Sequence, residues 1–551
     1  MDIVGGAVNL VKRIPWIGRK LNRLLAWLLR IIWHIPFISK LVNRFVTNHL
    51  ATRTTPRPRP YSLWSHVDIK KMPAGVNGPV SDYTSWPALT DKLFSGRHLK
   101  PVATEFPASP TLKQAADLFM RPEGVAMKTD RSSLLFMFFA QWFTDSVLRV
   151  DGTDRRKNTS NHYIDLCQIY GLTEIECRAL RSKNDGQLKS QPIKGAEYLV
   201  YLHEEDGKGG LKVKDEFKDL SYTDRIDAIM KKFSADKFRK EKMYATGLDN
   251  GNGSIGYVAI NTLFMREHNR IARALSAVYQ NDAEWKRLSD PTYFDERLFQ
   301  TARMINTVLL LKLVIEEYIN HISGHKLFRL DHRFAENQHW YRPNWITLEF
   351  NLLYRWHGMV PDTITINQQP YDQTQFRFNN GLLESVGIEA LITHASTQAA
   401  GKIGLQNTPE FLRQAEEFSI IMARDFRLAS YNDYREQFGL WRMKEFSDLT
   451  TDGVLQTQLA KHYIKMDNLE FLVGLFGETP DDGALFGDLM NTMISYDAFT
   501  QIYTNPLLSK NIFNEETFTQ TGMEIINTTH SLQQIAERNA VAGVGVTASF
   551  S

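Results

Sequence analysis

Tyr354 and His357 stand three positions apart in the run Glu349-Phe350-Asn351-Leu352-Leu353-Tyr354-Arg355-Trp356-His357. On a continuous helix that spacing points both side chains to nearly the same side. An imidazole so placed can bind an iron axially, a haem iron included. A phenol lying alongside can then give up an electron and a proton and become a tyrosyl radical. The same spacing suits two core residues that each satisfy a local hydrogen bond, which is the commoner use of such a pair.

A second candidate lies in the apolar segment 134–151, where Gln141 and Asp145 stand one helical turn apart on one face. A polar group on a buried face costs roughly 1–3 kcal/mol unless partnered. The pair therefore points either to a polar cavity holding a bound group or to a buried hydrogen-bonded pair. The third segment, Met265-Arg266-Glu267-His268-Asn269-Arg270, reads as a buried ion-pair network. His268 is a poor ligand there because the flanking charges compete for it.

These residues need helices to place them. Leu298 to Ile322 carries apolar residues at a helical period, with start chemistry at Ser289-Asp290-Pro291 and stop chemistry at Ser323-Gly324. Residues 411–424, 455–463 and 484–503 also read as helices. Strand-length alternation is scarce, and 189–201 and 359–366 are the best candidates for short hairpins. The expected fold is mainly α.

The first fifty-three residues differ from the rest. Asp2 is their one acid, whereas Lys12, Arg13, Arg19, Lys20, Arg23, Arg30, Lys40 and Arg44 alternate with Trp16, Trp27, Trp33 and many aliphatic residues. Spanning a bilayer takes about 20 mostly uncharged residues, and here basic residues and Pro15 and Pro36 interrupt too often. No secretory leader pattern is seen. The segment 1–53 reads as short amphipathic helices lying on a membrane surface, or as a basic hairpin packed on the protein's own body. Residues 54–84 read as a linker that opens on the stiff run Thr54 to Pro60, and 85–551 as the catalytic domain. A net charge of +3 over such a chain is nearly balanced and says little about partners; no nucleic-acid partner is expected. Two cysteines, Cys167 and Cys177, are too few for a disulfide framework and suit a reducing compartment. The expected location is the cytoplasmic face of a membrane.

Taken together, the quoted segments resemble the haem peroxidase–cyclooxygenase superfamily, and within it the fatty-acid oxygenase branch. Residues 135–144 resemble that family's distal haem helix, and 264–272 its Arg-Glu-His-Asn-Arg signature. Residues 295–324 are similar to its channel-lining helix, and 349–363 to its proximal helix and following turn. Ala429 to Arg435 and Glu478 to Pro506 continue in the same order, so the resemblance spans roughly 85 to 530.

The resemblance implies a helical haem peroxidase fold, haem b, and an unsaturated fatty acid and O2 as substrates. It makes His357 the proximal iron ligand, Tyr354 the radical-forming tyrosine and Tyr318 the tyrosine that orients it, with Gln141 and Asp145 on the distal side. Trp356, Ile319, Ile322, Ala498 and His325 fall along the substrate channel, and Arg97 falls on the arginine that pairs with the fatty-acid carboxylate at its mouth. The fork of a guanidinium suits that task.

Several departures follow. Asp145 replaces the distal histidine, so weak peroxidase turnover is expected. Ala498 replaces the serine that acetylating inhibitors modify, and His325 replaces a channel-mouth tyrosine. Asn161, Asp165 and Cys167 do not make a good calcium loop. Gly253 and Ser254 offer no carboxylate for a covalent link, so non-covalent haem is expected. The implied activity is dioxygenation of a linoleate- or oleate-like acid to a hydroperoxide. A peroxidase acting on small reductants, a prostaglandin-type cyclooxygenase product and a non-enzymatic haem-binding membrane protein are the alternatives. Oligomeric state is left open by the sequence.

Overall fold

Pro36 opens helix α1 (Pro36–Ala51) at the position where a missing N–H is least costly. The helix is amphipathic, but its inward face is the polar one: Ser39, Asn43, Thr47 and Ala51, spaced four apart, are buried. The Asn43 amide donates to the Arg329 carbonyl at 2.9 Å, Arg44 pairs with Asp331 at 2.6 Å, and the Trp340 indole donates to Asn48 at 2.8 Å.

The computed structural model describes Leu24 and residues 27–52, 95–102, 110–122, 126–225, 237–286, 291–341, 343–481 and 483–551. The linker expected at 54–84, and all of 1–26 except Leu24, lie outside these. The described part is mainly helical, as expected.

Helix α2 (Leu134–Asp145) is capped by Ser133, whose hydroxyl accepts from the Phe136 N–H at 3.3 Å. Ten of its twelve residues are buried, from Leu134 to Thr144 with Gln141 excepted. Helix α3 (Ile255–Tyr279) runs through the core and packs on α2 and on helix α4 (Pro291–Leu313). The expected helix 298–322 is a longer rod in three pieces: α4, a π-helical turn Val314–Ile319, and a last turn Asn320–Ser323. Gly324 ends it at φ +70°, where a Cβ would lie 2.7 Å from the Arg131 guanidinium. Among the described residues, 292–323 is long and apolar enough to cross a membrane, but 83% of its most apolar window is buried in the protein. It is a core helix.

Three further helices frame the site: α5 (Leu348–Leu353), α6 (Arg413–Asp425) and α7 (Asp488–Tyr503), the last packing against α1. Described strands are short and form two-stranded antiparallel pairs. Gln191–Ile193 pairs with Ala196–Tyr198, as expected for 189–201. The second expected hairpin begins later than its sequence suggests, with Thr363–Ile366 pairing to Gln369–Asp372. A third pair, Lys128–Ser133 with Ala399–Gly401, passes directly under the candidate site.

Candidate active site

The helix expected to carry both Tyr354 and His357 stops at Leu353. Tyr354 is already its C-cap at φ −99°, ψ 21°, and His357 opens a separate 3-10 turn, His357–Met359. The reason is tertiary. Gly358 follows His357, and a Cβ on Gly401 of the neighbouring strand would fall 2.0 Å from the Gly358 carbonyl oxygen. Strand and turn therefore meet backbone to backbone. The Asn407 amide secures the contact by donating to the carbonyls of Gly358 (3.1 Å), Lys402 (2.8 Å) and Met127 (2.8 Å). His357 is positioned by this seam, not by helical register.

The His357 ring turns Nδ1 toward Glu416 of α6, at 3.0 Å from Oε1, although the approach is off-axis for a linear hydrogen bond. The Glu416 side chain is 1% exposed, and its Oε1 also accepts from the Thr408 hydroxyl at 2.7 Å. The facing carboxylate favours the Nδ1–H tautomer, which leaves the Nε2 lone pair for a metal. Arg355, two residues earlier, has a buried Nε with no hydrogen-bond partner, and burial pushes its guanidinium down to about 10 against the opposing pull of Glu416. An imidazole with Nε2 available, and a nearby guanidinium that donates from Nη2 to Asn351 but leaves its Nε without a partner, fit the iron and an anionic propionate of a haem.

Above this turn lies an aromatic box. Tyr354 packs edge-on to Phe350 (5.0 Å between centroids) and against Trp356 (4.7 Å). Trp356 stacks on Phe136 of α2 at 6.1 Å, and Phe136 stacks on Tyr318 at 5.2 Å. Tyr318, 1% exposed, sits inside the π-helical turn. That turn winds one residue wider than an α-helix and re-aims the side chains it carries; such turns recur at functional sites.

The Tyr318 and Tyr354 hydroxyls face one another closely enough to enter each other's ionisation, without a well-aligned hydrogen bond. Burial pushes both phenols up. For Tyr354 the charge of Asp497 adds to this while Tyr318 opposes it; for Tyr318, Tyr354 adds to it. Both keep their hydroxyl hydrogens at any working pH.

Ile319 and Ile322 are buried on the same rod as Tyr318, and Ala498 is buried on α7. Beside Ala498, Asp497 accepts from the His98 ring at 3.1 Å. This buried pair close to Tyr354 has no signal in local sequence pattern.

One expectation needs correction. Arg97 is 0% exposed. Its Nε donates to the Leu99 carbonyl and its Nη1 to the Phe426 carbonyl at 3.0 Å. The guanidinium ties residues 97–99 to the end of α6 and does not offer an open fork to a fatty-acid carboxylate. His325 does border an open cavity of about 1120 Å³, with His321, Arg131, Arg30 and Trp33. Burial and then the charges of Arg131 and Arg30 push its imidazole down, so it stands there as a neutral ring beside a cation.

On α2, Gln141 is exposed and accepts from the Ser254 hydroxyl at 3.3 Å. Both Asp145 oxygens are engaged: Oδ2 accepts from the Tyr257 hydroxyl at 2.8 Å, and Oδ1 accepts from Asn250 at 3.1 Å and lies 3.5 Å from Arg149. Burial raises its pKa against the pull of Arg149. His268 bridges the Tyr170 hydroxyl and the Gly186 carbonyl, both at 2.9 Å, and burial drives it down to about 3. Around it Glu267 binds Arg270 and Arg538, and Arg266 binds Glu389, the ion-pair network its flanking charges suggest.

Fold and site together define a helical protein in which one imidazole faces a buried carboxylate and lies next to two paired phenols, Tyr318 buried and Tyr354 half-buried. The family model for animal haem peroxidases matches residues 122–546, and the chain belongs to that family. Among its relatives, chicken (Gallus gallus) prostaglandin G/H synthase 2 is 30% identical over 496 residues, covering 87% of this chain and 76% of that one. Rat (Rattus norvegicus) prostaglandin G/H synthase 1 is 30% identical over 461 residues, covering 81% and 71%. Solved structures share the fold at lower identity. The fatty acid alpha-dioxygenase of Arabidopsis thaliana superposes with a TM-score of 0.68 at 17% identity over 94% of this chain and 90% of its own. Peroxidase A of Dictyostelium discoideum gives 0.63 at 17%, over 83% and 95%.

Proposed function

We propose that the protein is a haem-dependent fatty-acid dioxygenase in which Tyr354 takes a hydrogen atom from the acyl chain. The observation that carries this is the pairing of two protonated phenols, Tyr318 buried and Tyr354 half-buried, beside the His357 turn. A plain peroxidase has no use for such a pair. Haem, when bound, supplies the one-electron oxidation that Tyr354 needs.

The rest is done by the chain. His357 Nε2 would hold the iron and Arg355 would meet a propionate. With Gly253 and Ser254 lacking a carboxylate for an ester link, the haem would be held non-covalently. Tyr354, oxidised to the phenoxyl radical with loss of its proton, forms a new O–H bond with hydrogen taken from the substrate, breaking a C–H bond. O2 adds to the carbon radical, and the resulting peroxyl recovers a hydrogen atom from Tyr354, leaving a hydroperoxide and the radical for the next cycle. Tyr318 and the surrounding rings hold the phenol in place and exclude water. Ile319, Ile322, Trp356 and Ala498 supply apolar surface for the acyl chain. The names of the prostaglandin synthases and alpha-dioxygenases similar to this chain support a fatty acid as substrate. A linoleate- or oleate-like acid is the form we favour.

The alternative, a peroxidase of small reductants, asks for a distal base ready to move the peroxide proton, and Asp145 has both oxygens engaged. Oxygen uptake by the purified holoprotein with a panel of fatty acids separates the two. Uptake with a hydroperoxide product is expected. Rapid peroxide-driven oxidation of simple phenols, with no uptake on any fatty acid, favours the alternative.

We further infer that α1 lies on a membrane. Its outward face carries Phe37 (74% exposed), Phe45 (68%), Ile38 and Leu41, and the preceding turns expose Trp27, Leu28 and Ile31. Its polar face is already satisfied by the protein, which supports the membrane reading of this helix over a hairpin resting its apolar side on the body. Leaving such an apolar face in water costs about 25 cal/mol per Å², and a patch of this kind marks an interaction surface. A lipid surface with anionic headgroups suits the interspersed Arg30 and Lys40. The buried, unpaired thiols of Cys167 and Cys177 suit the cytoplasmic side. Flotation with phosphatidylcholine–phosphatidylglycerol vesicles is expected to carry the wild type, and Phe37→Glu with Phe45→Glu to weaken binding at least about tenfold, as two charges at an apolar interface cost well over 1.4 kcal/mol. Equal flotation of both proteins would remove α1 from the membrane.

A further inference from the structure

We propose that Glu416 is a positioning residue for His357: its carboxylate holds the Nδ1–H and makes the imidazole a stronger donor toward the haem iron. This deepens the reading that His357 is the axial ligand, and rests on it.

The two groups come from different elements, the 3-10 turn His357–Met359 and helix α6, and meet at 3.0 Å. Around Glu416 the polar contacts are few. Thr408 donates to the oxygen that faces His357, the charge of Arg355 lies nearby, and Oε2 is buried without a hydrogen-bond partner. A purely structural acceptor for the Thr408 hydroxyl needs no charge. A glutamine there would accept the same hydrogen bond with a far smaller desolvation penalty. A buried carboxylate becomes useful when its neighbour gains positive character, as an imidazole does when it donates its lone pair to iron.

The opposite side of the site gives the second reason. There Asp145 is tied to Tyr257, Asn250 and Arg149 and is not a free base. Electron donation from the proximal side also favours O–O cleavage of a hydroperoxide. In this chain Glu416 moves that assistance from the distal to the proximal side. Thr408 donates to Oε1 and helps hold it where it faces His357 Nδ1.

Resonance Raman spectra of the ferrous holoprotein report the iron–imidazole stretch directly, and spectroelectrochemistry reports the haem midpoint potential. Glu416→Gln keeps the shape and an acceptor but removes the charge. It is expected to lower the stretching frequency and raise the potential, while Glu416→Ala loses haem roughly 10–100-fold faster, the usual effect of removing an outer-shell partner. Unchanged stretch and potential in the Gln variant, with haem loss at the wild-type rate in the Ala variant, would overturn the role of Glu416 alone, provided the stretch is present in wild type and vanishes in His357→Ala. A stretch that is missing from the wild type, or persists in His357→Ala, overturns the axial assignment and this inference with it.

Discussion

Tyr354→Phe is expected to bind haem at the wild-type ratio and show no oxygen uptake with any fatty acid. The substitution removes a single oxygen. The ring contacts with Phe350 and Trp356 remain, and so does the turn that carries His357, because Gly401 and Asn407 hold it from the other side. Losing one imperfect hydroxyl contact with Tyr318 costs about 1 kcal/mol of stability or less. The chemistry has no such margin, since a benzene ring has no O–H to lose and regain. Tyr318→Phe offers the contrast. It removes only the orienting hydroxyl, so uptake is expected to fall several-fold, in line with about 1 kcal/mol of lost positioning. Oxygen-electrode traces on both variants, with haem content measured by pyridine haemochrome, decide the matter. Undiminished uptake by Tyr354→Phe would assign hydrogen abstraction to another group.

The contrast between these tyrosines also shows what local sequence can and cannot tell. Residues 291–323 announce a buried helix by their apolar period, yet the π-helical turn that aims Tyr318 leaves no trace in that period. One residue of extra winding depends on what packs around it. Tyr354 and His357 look like neighbours on one helical face, whereas they occupy a helix cap and a separate turn. The close approach of Gly358 and Gly401 decides this, and it joins positions 43 residues apart.

Glu416 illustrates a signal that was present but faint. It precedes Glu417 and resembles half of a solvated acidic pair. However, Glu416, Ser419, Ile420 and Ala423 are spaced by three and four and form the buried stripe of α6, with Glu416 itself buried. An acid on an apolar stripe is a reason to look for its partner. Arg97 failed for the opposite reason. Its short local motif resembles a channel-mouth arginine, but its donors meet carbonyls at 99 and 426 that no local motif could reveal. For α1, composition showed an amphipathic helix, and only the packing on α7 shows that the polar face turns inward.

His357→Ala should separate cofactor binding from radical chemistry at a distance of three residues. Here the expected result is a folded protein that purifies with little or no haem. The imidazole is the group in this turn with a ring nitrogen directed away from the protein's own hydrogen bonds, and Arg355 can supply charge but no ligand to iron. Removing the ring also strands Glu416, which keeps Thr408 but loses its Nδ1 partner. A buried acceptor left in that state costs roughly 1–3 kcal/mol, so a fall in melting temperature should accompany the haem loss even before cofactor is considered. Exogenous imidazole fills the space the side chain leaves and can again place one nitrogen toward Glu416 and the other toward iron. It should restore the haem absorption band, and with it a measurable part of the oxygen uptake, because Tyr354 is untouched. In His357→Ala combined with Tyr354→Phe, imidazole should restore the band but not the uptake. Full haem content in unrescued His357→Ala would move the axial ligand elsewhere, and the phenols would lose the oxidant that gives their pairing a purpose.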